Sequence, residues 1–135
     1  MISSYNNTTQ EVVVNGILSF STDRILTGCT ATRNGQTFQL NKPGYYYITF
    51  NADGAATTTP GDIVVVLQNN GISVPGAIAT YTATAADDAT NLAFATIIKV
   101  PPSCCAVDNT VNLTLVNTGV AATFTNVNIN ITKLC

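Results

Sequence analysis

Few side chains in this sequence could do chemistry. Its 135 residues include no histidine, four cysteines, seven carboxylates and five basic residues. Acid–base catalysis near neutral pH draws first on histidine, and a serine or threonine without an adjacent base is a poor nucleophile. No catalytic residue is assigned, and the chain reads as a non-enzyme. Cys29, Cys104, Cys105 and Cys135 could offer four thiolates, but structural zinc uses closely spaced pairs such as C-x-x-C, and adjacent cysteines chelate poorly. Asp87-Asp88 with Asp62 could give oxygens to calcium, against the plainer reading of a solvated loop. Tyr45-Tyr46-Tyr47 could stack on sugar rings, against packing in a core or a subunit contact. The Asn-x-Thr sequons at Asn6, Asn7, Asn112 and Asn130 are what chance places in so Asn/Thr-rich a chain. No cofactor and no metal is expected.

The elements that would position these residues are strands. Thr, Val and Asn dominate; β-branched side chains favour extended backbone, and Asn competes with helical hydrogen bonds. Charged residues are 9% of the chain, against roughly 25% in ordinary soluble domains. Few long charged side chains remain to hold surfaces apart, so a tight oligomer is expected. A net charge of −2 with no basic run excludes a nucleic-acid surface. No apolar run is long enough to span a bilayer. The opening Met1 to Thr8 has neither a basic n-region nor an apolar h-region, so no signal peptide and cytoplasmic synthesis are expected.

The organising stretch runs from Leu40 to Gly54. Pro43-Gly44 signals a turn, and a long strand follows. Alternation puts Tyr45, Tyr47 and Thr49 on one face and Tyr46, Ile48 and Phe50 on the other. A strand with two bulky faces lies between two layers, or between its own core and a neighbouring subunit. Around it, Asn34-Gly35 marks a two-residue hairpin and Asn69-Asn70-Gly71 a second one. Ala55 to Gly61 reads as a loop, and Thr80 to Thr90 as a loop or the tail of the preceding strand. Leu92 to Val100 is an aliphatic strand ended by Pro101-Pro102. In the last strand, Val127, Ile129 and Ile131 face one way, while Asn126, Asn128, Asn130 and Thr132 face the other. About ten short strands with regular turn signals, and no helical periodicity, give a single all-β domain over 1–135. The fold expected is a two-sheet antiparallel jelly-roll sandwich.

Thr37 to Ile48, with Pro43-Gly44 followed by three tyrosines, resembles the segment of C1q and tumour-necrosis-factor-like domains where a strand ends, Pro-Gly turns and an aromatic-rich strand begins. The order downstream is similar too: strand, glycine-containing turn and strand over Val64 to Val74, then the aliphatic strand Leu92 to Val100. That resemblance implies a compact homotrimer packed around a common axis, with Tyr45, Tyr47, Val127, Ile129 and Ile131 as interface candidates. Phe124 to Ile131 lacks the aromatic-glycine ending of the eukaryotic members, and no collagen-like stalk is present. A second resemblance rests on Met1 to Thr9, the Pro-Ser-Cys-Cys loop, Asn117-Thr118-Gly119 and Lys133-Leu134-Cys135. These look like small proteins of the structural gene blocks of bacteriophages infecting Gram-positive bacteria, where C1q-like modules serve as capsid decorations, head fibres or fibre tips. It implies a structural virion component, located in the virion, whose partners are other capsid or fibre proteins. The alternative is an adhesin tip that recognises host surface glycans through loops such as Ala55 to Gly61 and Thr80 to Thr90.

In an up-and-down strand order, the loop after Val100 and the end of the last strand fall at one end of the sandwich. Cys135 would then reach Cys104 or Cys105, within or between subunits, if the particle meets oxidising conditions; unpaired thiols are the other reading.

Overall fold

The structure, a computed structural model, describes residues 1–28, 30–102 and 111–134. The described residues form twelve strands: β1 (Ile2–Asn6), β2 (Gln10–Val12), β3 (Gly16–Ile17), β4 (Thr22–Leu26), β5 (Ala31–Asn34), β6 (Thr37–Leu40), β7 (Gly44–Ala56), β8 (Gly61–Asn69), β9 (Ile72–Ala83), β10 (Ala89–Val100), β11 (Val111–Asn117) and β12 (Ala122–Lys133). They build two antiparallel sheets of six strands. One runs β10-β7-β12-β1-β4 with β2 added beside β12; the other runs β5-β6-β11-β8-β9 with β3 added beside β11. The chain crosses between sheets from β2 to β3, β3 to β4, β4 to β5, β6 to β7, β7 to β8, β9 to β10, β10 to β11 and β11 to β12. This is the connectivity of a jelly roll and not an up-and-down order.

Alternation supplies the core. Tyr46, Ile48 and Phe50 of β7 are buried, as are Phe124, Val127, Ile129 and Ile131 of β12, and they share one cluster with Phe38, Leu40, Ile63, Leu67, Leu113 and Leu115 of the facing sheet. In β12 the inward positions are spaced by two except between Phe124 and Val127. A bulge there, with Asn126 at φ 55°, shifts the register between Thr125 and Asn128 and resets the phase. Without that extra residue, one end of β12 would turn asparagines into the core.

Both expected hairpins form, with different turns. Asn34 pairs with Thr37, so Gly35 and Gln36 link the strands, and of the two only Gly35 has positive φ. The turn needing positive φ at both central positions lies instead at Asn70 (51°) and Gly71 (84°). Three local devices tie the remaining edges. Arg33 of β5 grips Asp23 of β4 through two hydrogen bonds of 2.7 and 3.0 Å, joining the edge strands of the two sheets. Ser4 donates to the same carboxylate at 2.6 Å. The buried Asn117 donates to the Val12 and Val120 carbonyls and accepts from the Gly119 amide, shaping the turn before β12. A Cβ on Gly119 would collide with the Asp62 carbonyl, so only glycine fits this turn.

Candidate interface

The sheet built around β7 has an outer face that none of the other described strands covers. Along β7 the outward positions are Tyr45, Tyr47, Thr49 and Asn51. Register places Tyr47 between Ile97 of β10 and Thr132 of β12, Thr49 between Ala95 and Asn130, and Asn51 between Ala93 and Asn128. These nine side chains carry no charge. Tyr45 is 44% exposed, Tyr47 42% and Ile97 58%. Lys99 stands over the Tyr45 ring at 5.9 Å and marks one border. Asp53 marks the other, where Asn91 and Asn126 donate to it at 3.0 and 3.1 Å. Those amide bonds hold its carboxyl below the usual carboxylate range.

The tyrosine run splits as alternation requires. Tyr46 is fully buried and its hydroxyl donates to the Lys42 carbonyl at 2.7 Å and the Thr30 carbonyl at 3.1 Å, pinning the approach to the Pro43-Gly44 turn. Burial raises its pKa above the ordinary tyrosine value. Tyr45 and Tyr47 therefore stand on the open face, as interface candidates must.

Val127, Ile129 and Ile131 do not. All three are fully buried inside the single chain, because the apolar phase of β12 is needed by the intramolecular core. They have no surface left for a second copy, so the contribution of β12 to the face comes from its polar phase, Asn128, Asn130 and Thr132. Ile97 is the residue that sequence reasoning passed over. It continues the outward series Ala93, Ala95, out of phase with the buried Leu92, Ile98 and Val100. That phase was visible in the sequence; its adjacency to Tyr47 required the pairing of β10 with β7.

The disulfide candidates Cys104, Cys105 and Cys135, and also Cys29, lie outside the described residues. The flanking strand ends do converge: Val100 pairs with Gly44 and Lys133 with Tyr46, so both ends flank the start of β7. The two loops suggested for glycan recognition meet at the opposite end. Ala56 exchanges backbone hydrogen bonds with Asp87 and Asp88, and Gly61 pairs with Ala83. Asp88 is committed to this loop, accepting from the Tyr81 hydroxyl at 2.9 and 3.0 Å and from the Thr84 amide at 3.1 Å. Asp62 accepts from Thr82 at 2.7 Å. Among the described residues, no three acidic, histidine or cysteine side chains gather as a metal site, and no helix is long and apolar enough to cross a membrane.

Strand order, layer count and core together define the C1q/TNF-like jelly-roll fold. The structure is similar to Eiger TNF from S. frugiperda, at 14% identity and TM-score 0.72, covering 99% of this chain and 92% of that one. It is similar to the globular domain of zebrafish complement 1qA protein, at 12% identity and TM-score 0.61, covering 96% and 94%. It is also similar to the PRD1 vertex protein P5, at 16% identity and TM-score 0.61, covering 99% and 96%. No protein-family model and no curated sequence matches the chain, so the likeness is one of fold.

Proposed function

We propose that this chain is a homotrimeric structural module of a bacteriophage virion, a capsid decoration, head fibre or fibre tip, acting by shape and multivalent contact and not by catalysis. The observation that carries the reading is the uncharged outer face of β7, β10 and β12 with Tyr45, Tyr47 and Ile97 half exposed on it. Large apolar side chains grouped on one uncharged face support its reading as an interaction surface, and a second copy of the chain suits it because its small neutral neighbours permit close packing without unpaired charge. The virion part is supported by the fold shared with a vertex protein and by the phage-like segments of the sequence; it is an inference from fold and resemblance. Native mass spectrometry at working concentration tests the assembly, with three chains expected. The encoding locus tests the setting: flanking capsid and portal genes agree with it, and a surface-anchored neighbour contradicts it. The adhesin reading keeps one specific support, the meeting of the 57–60 and 84–88 loops at one end, and binding on a glycan array would separate it from the first.

A further inference from the structure

On the other side of β7 from β10, the strands β12, β1 and β4 line an open pocket of about 310 Å³. Its polar side chains divide by what they have already spent. Asn6 is a strut, donating to the Ser19 carbonyl at 3.2 Å and accepting from the Thr8 amide and hydroxyl at 3.0 and 2.6 Å. Asn126, raised by the β12 bulge, donates to Asp53 and keeps its side-chain oxygen uncommitted. Asn128 carries a sheltered Oδ1 with no partner among the described residues. The Tyr5 hydroxyl and the Asn7 amide have none there either.

Arg24 is the telling group. Its guanidinium lies 5.0 Å over the centre of the Tyr5 ring and makes no hydrogen bond or ion pair among the described residues. Arg33 is its opposite, with its donors spent on Asp23 and on the Phe20 and Gly35 carbonyls. The nearby carboxylates do not compete for Arg24: Asp23 is taken by Arg33 and Ser4, and Asp53 by Asn91 and Asn126.

We propose that this pocket binds a carboxylate-bearing saccharide. The guanidinium, stacked over the Tyr5 ring, presents a planar fork matched to a carboxylate. Asn126 offers its side-chain oxygen, its nitrogen being held by Asp53, and the amides of Asn7 and Asn128 offer donors or acceptors to ring hydroxyls, since either amide atom of those two can be turned inward. A neutral sugar would leave the cation without a countercharge, and a small anion would leave the amide acceptors unused. The pocket is lined by one chain but shares Asn128 with the face assigned to subunit contact, so the titration is run on the dissociated Ile97→Lys chain as well as on the parent.

The test is a titration of the ¹⁵N-labelled full chain with a hyaluronan tetrasaccharide, in which glucuronate alternates with N-acetylglucosamine. Neutral chitotetraose and sodium acetate are run alongside, with side-chain amide and arginine signals read by NMR. Saturable shifts confined to Arg24, Asn7, Asn126 and Asn128 are expected, with a Kd on the order of 1 mM. Arg24→Gln should weaken binding about tenfold, because one charge-assisted contact is lost, while its backbone spectrum stays that of the parent. Arg24→Lys should recover part of the loss. Absence of shifts in the pocket overturns the proposal. So do equal shifts with chitotetraose or with acetate, and so does an Arg24→Gln protein that binds like the parent.

Discussion

The two faces of β7 use the same side-chain types to opposite ends. Inward, Tyr46, Ile48 and Phe50 are lost from solvent within one chain, and even the Tyr46 hydroxyl is spent on two carbonyls. Outward, Tyr45, Tyr47 and Thr49 stand beside Ile97, Ala95, Asn130 and Thr132 with nothing from the described chain laid over them. A bulky residue on a strand therefore does not by itself identify a core. What separates the faces is whether hydrogen-bond partners and apolar neighbours are supplied from inside the chain or left for another molecule to supply.

Substitutions can break that contrast, and the deepest cut is on the inner face. Phe124→Ala removes a fully buried ring from the centre of the cluster. It should cost about 3–5 kcal/mol, lost transfer energy plus a cavity, read as a fall in the denaturant midpoint. Tyr46→Phe keeps the ring and strands the Lys42 carbonyl, while the Thr30 carbonyl keeps the Asn41 amide. A loss of about 1–3 kcal/mol is expected in the same measurement, with a smaller loss if water enters to satisfy it.

The closure between sheets is sharpened by pH. The Arg33 hydrogen bonds hold the Asp23 carboxyl below the usual range, against an opposing push from partial burial and with further help from Ser4. The folded pKa lies below the unfolded one, so this contribution is complete above about pH 4, the unfolded value, and is lost as pH falls through the folded value. Asp23→Asn should flatten the acid limb of a stability–pH curve while lowering the neutral plateau. An acid limb as steep as the parent's would mean other carboxylates dominate it.

The smallest stability effect should come from the outer face. Tyr45→Ala in a dissociated chain should change unfolding free energy by about 0.5 kcal/mol or less, as surface substitutions usually do. A loss comparable to that of Tyr46→Phe would erase the distinction between the faces.

The two-faced strand was legible in sequence because a period of two needs only alternation, and Tyr45 through Phe50 alternate without interruption. Both hairpins were legible from Asn-Gly, although the turn at Asn34-Gly35 takes a conformation the dipeptide alone does not fix. The interface role given to Val127, Ile129 and Ile131 failed for a clear reason. Periodicity shows that residues share a face but not which partner covers it, and here the facing sheet claimed the apolar side. The chain also leaves one sheet where β4 ends at Leu26 and enters the other where β5 begins at Ala31. No local signal announces that change of sheet, nor the Asp23–Arg33 bridge that follows from it. The Arg24–Tyr5 stack was hidden for the same reason, since the two residues meet only through the β1–β4 pairing.

The most direct measurement is sedimentation equilibrium of the parent chain beside Ile97→Lys, which puts an ammonium on the uncharged face beside Tyr47 without touching the core. Three chain masses for the parent and one for the variant, both folded by circular dichroism, are the expected result. A parent that sediments as a single chain, or an Ile97→Lys protein that assembles as the parent does, would contradict the role assigned to the outer face.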